Sequence, residues 1–148
     1  MIYKIALSVV ILLVAYMLYK NNTMPSYLGV SEGKFAPMPS SPNAVSSQTE
    51  IEEKKVMPIS FADLGTAKKN VNKVLSQMSR NHIASVSEQY IHVVFTTPTM
   101  KYNDDIEIYF DIDKNLIHYR SQSRVGYSDA GVNRNRYEEF SKLYNDMN

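Results

Sequence analysis

Arginine is unevenly spread along this chain: four of its five arginines, Arg120, Arg124, Arg134 and Arg136, fall between positions 120 and 136, and lysine dominates elsewhere. Guanidinium is favoured over ammonium where a carboxylate or phosphate is held by paired N–H donors. Among these arginines stand Ser121, Ser123, Gly126, Ser128, Gly131 and Asn133, which offer hydroxyls, free backbone amides and glycine mobility to an anion. If Asn133 caps the helix that follows, Arg134 and Arg136 occupy its first turn, where the positive end of the helix dipole disfavours cations by some tenths of a kcal/mol each. A bound anion reverses that penalty. Internal pairing is the competing use, with Asp129, Glu138 and Glu139 near enough in sequence to neutralise the same arginines and staple the loop to a sheet.

Other groups suit acid–base chemistry. Asp105 and Glu107 share one face of an expected strand, about 6–7 Å apart by strand rise, a separation that overlaps the paired carboxylates of glycosidases. An alternating, solvated strand face gives the same pattern. His92 and His118 with Asp105 and Asp129 are the set a small hydrolase would draw on. His82, His92 and His118 lack the spacing of a metal site, and no metal or cofactor is expected. The run from Gly126 through Ser128 to Ala130 mimics a nucleophile elbow, but 148 residues are too few for an α/β-hydrolase. With no cysteine, thiol nucleophiles, disulfides and lipidated anchors are excluded. A net charge of +1 with interleaved acids argues against a nucleic-acid partner.

Three zones must position these groups. Residues 5–19 are uncharged and apolar between Lys4 and Lys20. Where a signal peptidase needs small side chains, the run ends in Tyr16, Met17, Leu18 and Tyr19, so residues 1–20 are expected as an uncleaved membrane anchor. About 20 residues cross a bilayer, which residues 2–19 just manage if Lys4 and Lys20 snorkel. The weak lysine bias puts the amino terminus inside, so in a bacterial inner membrane the rest of the chain would face the periplasm. Residues 21–55, with Pro25, Pro37, Pro39 and Pro42 among serine and asparagine, are expected as a linker partly packed on the domain.

Residues 56–148 carry the fold. Thr66 is expected to cap a helix with Ala67, Val71, Val74, Leu75 and Met78 on its inner stripe. Strands follow near 83–86 and 90–97. In a third, Ile106, Ile108, Phe110 and Ile112 alternate with Asp105, Glu107, Tyr109 and Asp111, as in a half-buried strand. A turn at Asp113, Lys114 and Asn115 returns the chain through residues 116–122, and a last helix spans about 133–145 with Tyr137, Phe140 and Tyr144 facing in. The fold class is α+β: an antiparallel sheet of about four strands with helices packed on one face.

Taken together, His118, Arg120, Ser121, Ser123, Arg124, Gly126, Ser128, Asp129, Gly131, Asn133, Arg134 and Arg136, with Tyr90, His92, Asp104 and Asp105, form a spaced pattern. With Ser41, Pro42, Asn43, Val45, Ser46 and Ser47 upstream, it resembles the family called domain of unknown function 1499. The likeness runs from about residue 41 to the carboxyl end. It implies a small envelope or plastid protein, often with an amino-terminal anchor or signal, and no established activity. The family commonly has cysteine where this chain has Ala44, so a thiol performs no chemistry here. The leading expectation is a non-catalytic envelope module that binds an anionic small molecule, lipid headgroup or partner carboxylate through the arginine loop. The hydrolase is the alternative.

Overall fold

The apolar run has no polar face, and it forms one continuous helix, α1 (Ile2–Asn22), whose side chains are exposed except at Asn21. Its 21 residues are long and apolar enough to cross a membrane, as a span or as a signal sequence would be. The computed structural model describes residues 2–147.

After α1 come β1 (Val30–Ser31), β2 (Lys34–Phe35), β3 (Ala44–Ser46), a 3-10 turn at Glu52–Lys54 and β4 (Ile59–Ser60). These precede α2 (Leu64–Gln77), β5 (Asn81–Val86), β6 (Tyr90–Thr96), β7 (Asn103–Asp111), β8 (Leu116–Ser123) and α3 (Val132–Asn145). The α+β class is as expected, but the main sheet has six strands rather than about four. Its order is β3-β8-β7-β6-β5, all antiparallel, and β4 shares the free edge of β8 with β3. The two additional strands are short pieces from the proline-rich zone and the segment after it, recruited by the open edge of β8. Three and two residues are too few to leave an alternation in sequence.

Both domain helices lie on one face of the sheet. Val71, Val74 and Leu75 of α2 and Tyr137, Phe140 and Tyr144 of α3 pack on Ile91, Val93, Ile106, Ile108, Phe110, Ile117 and Tyr119. Burying each such side chain contributes about 1.5–3 kcal/mol, which makes this layer the main source of stability. The cap of α2 is Asp63, whose Oδ1 accepts from the Thr66 amide at 2.8 Å. Thr66 is therefore the third helical residue and not the cap, because the shorter carboxylate arm three positions upstream reaches its amide.

The other face is not solvated. Residues between 21 and 48 lie over it, so Asp105, Glu107 and Asp111 are buried instead of facing water. Within this cover, the main-chain N–H of Gly29 donates to Glu107 and that of Phe35 donates to Gln48, while Ala44–Ser46 belongs to the sheet itself.

Candidate functional site

Strand β8 ends inside the start of the arginine-rich segment, and its alternation, carried on to Arg124, sends successive side chains to opposite faces. Arg120 and Arg124 fall on the covered face; Ser121 and Ser123 fall on the helix face. The ten residues expected as one anion site are thereby divided between two buried polar clusters and an exposed loop.

On the covered face, register places Glu107 directly opposite Arg120. Arg120 Nη1 donates to Glu107 Oε2 at 2.5 Å, with the two side chains 1% and 0% exposed. Arg120 also donates to Gln122, and the Tyr27 ring lies 4.7 Å from its guanidinium carbon. Glu107 Oε1 accepts from Tyr90 Oη at 2.8 Å and from the Gly29 amide at 2.7 Å. Burial pushes the Tyr27 hydroxyl up to about 12 and raises that of Tyr90 as well, so both stay protonated donors.

Arg124 holds the neighbouring carboxylate with two prongs, Nε to Asp105 Oδ2 at 2.8 Å and Nη2 to Oδ1 at 2.7 Å. His92 Nε2 reaches the same Oδ1 at 2.8 Å. Burial pushes the Asp105 carboxyl up, but the Arg124 and His92 contacts outweigh it and hold it below the usual range. The remaining Arg124 nitrogen, Nη1, donates to the main-chain oxygen of Asn21 at 3.1 Å, at the end of α1.

On the helix face Arg136 donates to Asp104 at 2.8 Å and to Asn133 Oδ1 at 3.0 Å, and lies over the Phe95 ring. Burial raises the Asp104 carboxyl despite Arg136. Asn133 joins the cluster: its Oδ1 accepts from Ser121 Oγ, and its Nδ2 donates to Ser123 Oγ at 3.0 Å and to the Asn43 carbonyl at 3.0 Å. Arg134 donates to the main-chain oxygens of Glu53 and Lys55.

The acids that neutralise the arginines are therefore Asp104, Asp105 and Glu107 of β7, and not Asp129, Glu138 and Glu139. Glu138 and Glu139 are exposed, while Asp129 accepts from the amides of Gly131 and Asn133. Asn133 does not cap α3. That position is Gly131 at φ 81°, a left-handed conformation that glycine takes without strain, and Asp129 supplies the capping oxygen. Gly126 and Ser128 sit in the exposed loop that crosses the sheet end.

The four hydrolase candidates are not gathered. His92 and Asp105 meet in the buried cluster, and Asp129 serves α3. His118 lies elsewhere, 3.1 Å from Ser47 Oγ through Nδ1 and 3.8 Å from Asp111 through Nε2, stacked on Tyr109. Burial pushes its pKa down. Ser47, Asp111, Asn43 and Asn21 went unread as partners because each is an ordinary polar residue in sequence. Ala44, where the resembled family commonly has cysteine, is buried in β3.

Two cavities are lined by arginines of this segment, one of about 360 Å³ by Arg136 and one by Arg124. The cavity at Arg124, about 500 Å³ in volume, lies at the foot of α1, where Tyr19 and Lys20 meet Ser41, Asn43, Arg124 and Gly126. The helix is fixed there through Asn21: its side-chain amide donates to the Lys101 carbonyl at 2.9 Å, its Oδ1 accepts from the Asn103 amide at 2.8 Å, and its carbonyl accepts from the Asn103 side chain at 3.0 Å.

No curated protein and no solved structure matches this chain. A family model does, over residues 34–143, a stretch that holds β2 through most of α3 and the arginine–carboxylate pairs of both polar clusters. The chain belongs to the family described as "Protein of unknown function (DUF1499)".

Proposed function

We propose that this protein is a non-catalytic module tethered to a membrane by α1, which binds an anionic group in the cavity at the foot of that helix. The amino terminus lies in the cytoplasm and the domain on the opposite side, which in a bacterial inner membrane is the periplasm. The observation that carries the reading is the cavity itself. It joins Lys20, an exposed cation with no carboxylate paired to it among the described residues, to the polar edge formed by Ser41, Asn43 and Arg124. Three of the four loop arginines are held in carboxylate pairs and the fourth by main-chain carbonyls, so the loop's architecture is structural. The ligand is met at its rim by Arg124, whose Nη1 and Nη2 each keep one N–H beyond the bonds described. A lipid headgroup phosphate and a partner carboxylate share the required chemistry.

The experiment uses the full chain in mild detergent. Phosphate, sulfate and acetate are titrated against chloride while the melting temperature is read. Stabilisation by phosphate at low millimolar concentration, beyond chloride and reduced in Lys20→Gln, is expected. A shift favouring acetate points to a carboxylate partner. Equal shifts with all four salts contradict anion binding.

One contact favours a second reading, a small hydrolase. Ser47 Oγ accepts the Tyr119 amide and faces His118, which burial keeps neutral and able to take a proton. Asp111 is nearer to Lys114, at 2.7 Å, than to His118, so the third member of a triad is diverted. Loss of a measured ester hydrolysis in both Ser47→Ala and His118→Gln would establish this reading over the first.

A further inference from the structure

We infer that the domain rests on the lipid surface beside its anchor, with Met100 and Tyr127 entering the interfacial layer of the bilayer that α1 crosses. The inference rests on α1 being a membrane span and adds to it a second membrane contact, made by the folded domain.

A tethered domain normally swings on its linker. Here there is no free hinge at the helix end, because Asn21 makes three hydrogen bonds to residues 101 and 103 and a fourth with Arg124. Asn21 is itself buried. Arg124 is held by Asp105, so the helix end is bonded to β7 twice, directly at Asn103 and through the buried Arg124–Asp105 pair. The pose of the domain relative to the bilayer is then set by the helix.

That pose brings one end of the sheet to the membrane. Residues 97–102 join β6 to β7 at the end where α1 attaches, and residues 124–131 leave β8 at the same end. Each segment carries a large side chain that no packing explains: Met100 is 62% exposed and Tyr127, between Gly126 and Ser128, is 77% exposed. Tyrosine with an apolar ring and a polar tip is suited to the headgroup boundary.

Charge agrees. Lys20, Arg80 and Lys101 are exposed at this end, against Glu139 beside Arg80 and Asp129, which is already engaged with the amides that open α3. The opposite end, at the β5–β6 and β7–β8 turns, carries exposed Glu88 and Asp113, with Lys68 held on the Ser87 and Glu88 carbonyls and Lys114 paired with buried Asp111, so it lacks the cationic excess. Cations close to an anionic lipid surface are drawn to it. The chemistry selected is therefore a phospholipid surface, contacted by a basic rim around two inserted side chains. The same pose holds the cavity beside Lys20 at headgroup depth.

The chain has no tryptophan, so each introduced one reports alone. Four single variants of the full chain, Tyr127→Trp, Met100→Trp, Tyr19→Trp and Ile112→Trp, are reconstituted in vesicles of phosphatidylcholine and phosphatidylglycerol in equal parts, with and without lipids brominated near the glycerol end. All four positions are exposed, so packing is little disturbed. The expected result is blue-shifted emission quenched by roughly twofold or more in Tyr127→Trp, Met100→Trp and Tyr19→Trp, with Ile112→Trp unquenched. Adding Lys101→Glu to Tyr127→Trp should weaken the quenching. Quenching of Tyr19→Trp without quenching at 127 and 100 overturns the docked pose and leaves the anchor standing. An unquenched Tyr19→Trp overturns the anchor and the docking together. Equal quenching of Ile112→Trp overturns the orientation.

Discussion

Arg124 donates to the main-chain oxygen of Asn21 at 3.1 Å while its other two nitrogens grip Asp105, so one side chain joins α1 to the centre of the sheet. The carbonyls at the end of a helix carry partial negative charge, and a cation there is favourable. The bond also explains why an arginine is required: lysine could not meet a two-oxygen carboxylate and a carbonyl in a third direction.

Arg124→Gln should destabilise the domain by about 3–5 kcal/mol, because Asp105 would stay buried with only His92 beside it. Asp105→Asn combined with Arg124→Gln should cost less than the two single changes added together. Denaturant midpoints of the three variants check both statements; an unchanged midpoint for Arg124→Gln would show that the pair contributes nothing.

Acid should destabilise the protein in two steps. His118 binds its proton less tightly folded than unfolded, since burial pushes its pKa down. The unfolded chain therefore takes up more protons just below the ordinary histidine value of about 6.5, and stability present above it declines as pH falls toward the folded value. His118→Gln should flatten this limb. A second loss lies below the ordinary carboxylate range, where Asp105 and Asp111, both held low, must be protonated. Asp104, raised by burial, has the opposite sign: it favours the fold when protonated and loses that contribution as pH rises through its folded value, so it partly offsets the acid loss. Stability measured from pH 8 to pH 3 checks the order of the steps.

Much of the scaffold is legible in sequence. The spacing of Ala67, Val71, Val74 and Leu75 marks α2, and the alternation from Asp105 to Phe110 marks β7. The failure lies in what covers the second face. Alternating acids ordinarily mean water, and nothing in Asp105 or Glu107 alone says otherwise. The signal lies in pairing: counting outward from the turn near Asp113 and Lys114 sets Glu107 opposite Arg120, and a facing acid and arginine can be buried together. The cover has no such pattern, because residues 27–35 are held by main-chain bonds and by a tyrosine over a guanidinium.

The cover has a measurable weight. A chain starting at Ser40 lacks the Gly29 bond to Glu107 and the Tyr27 ring over Arg120, whereas one starting at Pro25 keeps both. The first should still fold on its helix-side core but be weaker than the second by roughly 1–3 kcal/mol. Equal denaturant midpoints would show that residues 25–39 are a passive linker.

The proposed membrane orientation rests on the lysine bias around α1. A reporter fused at the carboxyl end should be active only when that end lies outside the cytoplasm. Activity of a cytoplasm-specific reporter would reverse the topology and remove the periplasmic assignment.

Binding of an anionic group at the foot of α1 is tested most directly by native mass spectrometry of the full chain, purified from membranes in mild detergent and compared with Lys20→Glu. The account predicts a retained phosphate-bearing lipid on the unaltered protein and its loss from Lys20→Glu, with both chains folded. A bare chain in both samples, or the same lipid held equally by both, would contradict it.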